Sequence, residues 1–404
     1  MSTVHGQHGR TGVGRPDLRY VPSARTRGLL LALAVSGALC FLAGLFIAPT
    51  RAWGGFLLGF FCLTSLALAG PLFLAFLSLA GARWSAALQR APEAMSGALP
   101  AAAVLGLVLL FGLHDLYEWS HVGLVERDPV LAGKAGWLNQ TGFALRLVGV
   151  FAVWLLLARA VLARSRRHAE SGTDADAVSA TRASALFVAL FAITWSIACF
   201  DWLMSLEPHW FSTIFALMHL GGLAAAGLAA AALLLLAMER QGALRGVLRE
   251  EHLHDIGKLL FALTLFWAYC WYCQYMLIWY TNIPEETGHY LLRKQGSWWL
   301  LVQATLVLKW GVPFIALMAR RTCRSRVVIG RVAAVVLVGH ALDLYVQIGP
   351  PLMGGEPRLG PWELGPLVGA LSLFFLLALG GLSRGSAVPV RHPHLPDSLS
   401  YRTP

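Results

Sequence analysis

The fold class this chain predicts is an all-α integral membrane protein with ten transmembrane helices. Three observations carry the prediction. Of 404 residues, 57% are hydrophobic and only 13% charged, where a soluble protein carries roughly 25% charged residues. The mean hydropathy is +0.62. The apolar residues also gather into ten runs, most near the ~20 residues that cross a bilayer as a helix. This composition excludes a soluble globular enzyme, a disordered chain, a collagen and a small disulfide scaffold. A net charge of +11 would suggest nucleic acid in a soluble protein. On a membrane protein it points to the cytoplasmic face of the bilayer, so lipid is the expected partner and nucleic acid is not.

In chain order, residues 1–26 read as a basic cytoplasmic tail with Arg10, Arg15, Arg19 and Arg25. The first run, 28–47, spans a bilayer and lacks the short apolar core and small-residue end of a cleaved signal, so it reads as a retained helix. The second, 53–79, contains Gly70-Pro71, where a tilt or kink is expected. The others cover 98–113, 137–162, 183–204, 212–238, 259–280, 298–319, 327–346 and 364–382, making a membrane domain over 27–384. A cytoplasmic tail is expected over 385–404. Helices are required because a lipid-exposed backbone must satisfy its own hydrogen bonds.

The basic residues set an orientation. On the side of the termini, 23 Lys and Arg lie in or beside the connections; the other side has 6, and Arg146, Lys309 and Arg331 remain within spans. Both termini and the disordered-looking loop 164–182 are therefore expected in the cytoplasm. Trp119, Trp137, Trp202, Trp210, Trp298 and Trp299 fall near the outer boundary, where an aromatic belt is expected. The string Asp-Leu-Tyr occurs at 115–117 and 343–345, by chance or as a relic of two related bundles.

Ionisable residues inside a membrane are functional candidates by default. At 1.5 Å per residue, Arg146 lies ~14 Å and Lys309 ~16 Å from the outer ends of their spans. His219 lies about two turns in, and His340 and Asp343 share one face of span nine in its outer half. Asp201 closes span five, and Arg331 snorkels from the cytoplasmic end. These positions predict an outer half-channel for protons running from Asp201, His219, His340 and Asp343 to Lys309 or Arg146, with water or His340 bridging Lys309 to Asp343. Structural pairing of the same charges is the alternative. His114, Glu118 and His121 share a helical face if span three continues that far. With Asp115, Glu207, His209, Glu285, Glu286 and His289 they make an acidic, His-bearing outer surface expected to dock partner subunits. His254, Asp255 and Lys258 are inner candidates, behind an aromatic run, 266–272, that reads as a plug.

A metal centre is not expected. Cys40, Cys62, Cys199, Cys270 and Cys273 sit in apolar runs and Cys323 in a basic loop; Cys270 and Cys273 lack a second pair for a four-thiolate site and read as small buried residues. There is no Cys-x-x-Cys-His for covalent haem. Haem b would need two deep facing histidines, for which His219 and His340 alone are deep enough.

Residues 200–213, FDWLMSLEPHWFST, then HDIGK at 254–258 and QYMLIWYTNIPEET at 274–287, resemble the NrfD-like, polysulfide-reductase-type family of membrane subunits. Within it they are most similar to the ActF type of bacterial alternative complex III, a quinol:cytochrome c oxidoreductase. The resemblance covers roughly spans three to nine. It implies two four-helix bundles, spans two to five and six to nine, flanked by the first and last helices. It implies as partners a paralogous ten-helix quinol-oxidising subunit, an iron–sulfur subunit and multihaem c-type cytochromes, in a bacterial inner membrane. It also implies that haem c and iron–sulfur clusters belong to those partners and none to this chain, with a proton path here and quinol or quinone binding left open. The expected function is thus a non-haem membrane subunit of a respiratory quinol:cytochrome c oxidoreductase. The alternatives are the quinol-binding paralogue or an ion-coupled secondary transporter, which would more typically show repeats and paired broken helices.

Overall fold

The structure, a computed structural model, describes residues 19–402. Among the described residues ten helices are long and apolar enough to cross a membrane, and the chain is an all-α integral membrane protein. They are α1 (Ala24–Ile47), α2 (Pro49–Leu79), α3 (Arg90–Leu116), α4 (Gln140–Ser171), α5 (Asp174–Leu206), α6 (Ile214–Arg240), α7 (Glu250–Thr281), α8 (Trp298–Leu317), α9 (Arg326–Met353) and α10 (Pro361–Leu382). Extended pairing among the described residues is limited to one bridge, Arg19 with Ser386. The expected N-terminal tail lies, up to residue 18, outside the described residues.

Packing divides the helices into two groups of four. α2 packs on α3, α4 and α5; α6 packs on α7 and α9, and α8 lies between α7 and α9. The groups join where α2 meets α6 and α9. α2 and α6 are buried along most of their length, and Gly- and Ala-rich stretches let their neighbours approach closely. α1 and α10 pack on each other and on α2. A Cβ added to Gly37 would stand 2.5 Å from Gly369 Cα, so no larger residue fits that crossing.

Several expectations need correction. The loop 164–182 is a helical hairpin: α4 runs to Ser171, Gly172 caps it at φ +65°, and Thr173 accepts a hydrogen bond from Asp176 N to begin α5. His168 in the last turn of α4 and Asp174 and Asp176 in the first turn of α5 complement the two helix dipoles, so the charges that suggested disorder stabilise helix ends. α2 carries Pro71 inside an unbroken helix, the setting in which the expected kink arises. Trp119, Trp202, Trp210 and Trp298 are buried rather than arrayed as a belt; Trp202 packs among Phe60, Phe151 and Trp154.

The C-terminal segment is a strap. Ser398 is fully buried, donates to Trp84 O and accepts from Ala87 N. His252 lies 3.1 Å from Ser398 O, and Tyr401 donates to Asp255 at 2.5 Å. The strap thus closes the basic end of the molecule over the start of α7.

Candidate functional site

Each four-helix group pairs a cation on its third helix with an aspartate on its fourth. In the first group Arg146 of α4 donates to Asp201 of α5 at 2.6 Å, Trp137 Nε1 donates to the same carboxylate at 2.8 Å, and the guanidinium lies 4.2 Å from the Trp137 ring. In the second group Lys309 of α8 donates to Asp343 of α9 at 2.5 Å. Asp-Leu-Tyr at 343–345 thus carries half of the second pair, whereas Asp115 of the first copy is not the partner in the first group.

Lys309 and Asp343 are 0% and 1% exposed. The Lys309 ammonium lies 3.4 Å from His340 Nδ1 and 4.3 Å from the Trp267 ring centre. With a lysine facing Nδ1, that nitrogen is the acceptor and Nε2 carries the hydrogen of a neutral ring. His340 Nε2 has no partner, nor does either ring nitrogen of His219, which is 1% exposed between the edges of Phe61 and Phe215. Two buried imidazoles with three unpaired nitrogens call for water or a transient proton donor, because buried polar groups are otherwise nearly always bonded. Gly222 makes room: a Cβ there would stand 2.8 Å from Lys309 Nζ. Lys309 sits in a π turn, Val307–Gly311, an insertion found frequently at functional sites.

The direct Lys309–Asp343 contact corrects the expected bridge. α9 does not end at 346 but runs through Pro350 and Pro351 to Met353. Those seven added residues place Asp343 about 10 Å deeper, level with Lys309. Conversely, α4 begins at Gln140, so Arg146 lies about 9 Å from its end and not near mid-membrane. Asp201 and Arg146 therefore form their own pair in the first group and do not join the Lys309 cluster.

A second network lies toward the end of the molecule where Glu207 follows α5. Arg293, on the short helix Pro284–Arg293, donates to Glu207 at 2.8 Å, to His289 Nδ1 at 2.9 Å, and to Gln347 Oε1 at 3.2 Å. His289 stacks on Trp210 at 3.8 Å. Gln347 stands one turn from Asp343 on the same face of α9. Beside it, Ser212 donates to Gln274, and Gln274 donates to the Tyr290 hydroxyl. A polar file therefore descends from Glu207 and His289 through Arg293 and Gln347 to Asp343 and Lys309. Burial pushes the Glu207 carboxyl up, but the charge of Arg293 leads the effects that outweigh it and hold it down at about 2. Burial, reinforced by Arg293, pushes His289 down to about 4, so it is neutral at pH 7.

Other candidates stand apart from this file. α3 breaks at Tyr117, which is extended at φ −122°, so His114, Glu118 and His121 do not share a helical face. The chain doubles back and brings the His121 ring within 3.8 Å of His114, while Glu118 and His114 are exposed and Asp115 is half-buried. His209 lies 2.6 Å from Asp128. Glu285 is exposed and Glu286 half-buried. At the basic end, Asp255 lies 3.6 Å from Lys258, and His254 is buried with an unpartnered Nδ1. The aromatic run 266–272 does not make a continuous plug: Trp267, Ala268 and Cys270 are buried, Trp271 is half-buried against Tyr275 and Tyr290, and Tyr269 and Tyr272 face outward. Among the described residues, no group of three or more His, Cys, Asp or Glu is placed to hold a metal ion.

Arg293, Gln347, Gln274 and Trp267 were not singled out from the sequence. Arg293 carried a readable signal, a basic residue one turn after His289 on the side otherwise poor in Lys and Arg. Gln347 and Gln274 carried none, being single amides in apolar runs.

The fold and the charged file define a multi-pass integral membrane protein with a buried, incompletely bonded polar column in its second four-helix group. No protein-family model matches the chain, and no curated protein matches it.

Proposed function

We propose that this chain is a non-haem subunit of a quinol:cytochrome c oxidoreductase in a bacterial inner membrane, and that its second four-helix group conducts protons from the Glu207 end to Lys309. The observation that carries the proton reading is the buried Lys309–Asp343 pair beside His340 and His219, whose three unpaired ring nitrogens favour water or a passing proton over dry packing. Membership of the complex rests on the strings at 200–213, 254–258 and 274–287. The charge asymmetry supports both termini in the cytoplasm, which puts the Glu207 end outside. In this reading the Arg146–Asp201 pair of the first group is structural and the exposed histidines His114 and His209 face partner subunits. Purification of the tagged chain tests the assembly: c-type haem and an iron–sulfur protein co-elute with it. A haem-free chain that eluted alone and supported ion-driven solute uptake in vesicles would replace this reading with the secondary transporter.

A further inference from the structure

The polar file leaves an arginine-lined pocket unexplained. It lies at the opposite, basic end, between the start of α3, the last turns of α4 and the end of α10, with a volume of about 500 Å³. Four arginines line it, Arg90, Arg159, Arg166 and Arg384, against two carboxylates, Glu93 and Glu170. Its remaining walls include Leu99, Leu155 and Leu162.

The arginines divide into two kinds. Glu93, 7% exposed, accepts from Arg90 at 2.9 Å and from Arg166 at 3.0 Å. That carboxylate fixes two guanidinium groups, the half-buried Arg90 and the exposed Arg166. Arg90 Nε is buried and has no partner, so one fixed donor remains unused. Arg159 and Arg384 are exposed and make no ion pair among the described residues. Arg159 and Arg166 are seven residues apart and share one face of α4, about 10 Å apart along its axis. The formal balance of four cations to two anions leaves two positive charges unneutralised.

The surroundings decide which anion fits. Leu156, on the adjoining turn of α4, is 66% exposed in a helix long enough to cross the bilayer, so the pocket stands where the apolar belt meets a membrane surface. A basic pocket between transmembrane helices, with guanidinium groups at its head and leucines along its side, matches a phosphate carrying acyl chains. A soluble phosphate would leave the leucine wall in water.

We infer that this pocket binds an anionic phospholipid of the leaflet at the basic end. The headgroup phosphate lies among Arg90, Arg159, Arg166 and Arg384, and one acyl chain follows Leu99, Leu155 and Leu162.

Native mass spectrometry of the full chain, delipidated in detergent and titrated with cardiolipin, phosphatidylglycerol, phosphatidylcholine or inorganic phosphate, tests this. The wild type retains both anionic lipids at least about tenfold better than phosphatidylcholine. Arg159→Gln with Arg384→Gln, which breaks no ion pair, lowers that retention roughly thirty-fold. Leu155→Trp, which fills the acyl path and leaves every arginine, lowers it as well. Arg167→Gln, outside the pocket, does not. Equal retention of phosphatidylcholine, an undiminished anionic lipid in the double variant, or complete displacement by millimolar inorganic phosphate overturns the inference.

Discussion

Replacing Lys309 alone should destabilise the chain far more than replacing Lys309 and Asp343 together. The two charges are 2.5 Å apart and 0% and 2% exposed at the side chain. At an effective dielectric constant of about 20 their attraction is about 7 kcal/mol. Desolvation costs several kcal/mol per ion, so the pair nets little. Lys309→Met strands Asp343 without its counter-charge, which costs about 3–5 kcal/mol. Asp343→Leu strands the ammonium with only Trp267 and His340 beside it, at a similar cost. The double variant removes both desolvation penalties and should unfold near the wild type, giving a coupling energy of about 6 kcal/mol or more, the sum of the two single losses. Denaturant titrations of the four proteins in one detergent, followed by near-UV circular dichroism, measure it. Additive losses in the double variant would refute the paired, buried arrangement.

Three further outcomes follow from the surrounding contacts. The Glu207–His289 network makes the chain acid-labile: His289, at about 4 against an ordinary 6.5, is protonated first in the unfolded chain, so stability falls as pH drops from 6.5 toward 4. Glu207, at about 2 against 4.5, adds stability present above pH 4.5 and lost as pH falls toward 2; Glu207→Gln removes that lower limb from a plot of unfolding temperature against pH, and an unchanged plot contradicts the assignment. Arg146→Met should cost about 1–3 kcal/mol in the same denaturant assay yet leave proton flux unchanged, because the Arg146–Asp201 pair belongs to the other helix group. Truncation after Val390 removes the buried Ser398 and the Tyr401–Asp255 bond, and should cost about 2–4 kcal/mol and raise amide exchange in the segment Arg83–Leu88 that Ser398 holds; unchanged exchange there contradicts the strap.

The ten spans were legible because hydropathy over ~20 residues reports lipid exposure directly. Helix ends were less legible. Hydropathy closed the ninth span at 346, yet proline rings are tolerated where neighbouring helices satisfy the freed carbonyls, and α9 carries on through Pro350 and Pro351 to Met353. The charged stretch 164–182 reads as disorder by composition, whereas Gly172 and Thr173 supply the two caps of a helical hairpin. In the candidate site, Lys309, Asp343, His340 and His219 stood out because charge in an apolar run is costly. Their grouping depended on depth, and an error of seven residues at the end of α9 was enough to separate Asp343 from Lys309. Arg293 and Gln347 were missed because their partners come from other segments, 86 and 54 residues away. Trp267 was hidden in an aromatic run that divides between interior and outward positions, a distinction set by helical phase and neighbours rather than by residue type.

In the proposed function Lys309, Asp343, His340 and His219 carry protons. Protons translocated per electron during quinol oxidation, measured in vesicles containing the assembled complex, test it most directly. Asp343→Asn and His340→Ala are expected to leave assembly and electron transfer intact and to lower that ratio. Wild-type ratios in both variants, with normal assembly, would rule out proton conduction by these residues and make the buried cluster a packing element.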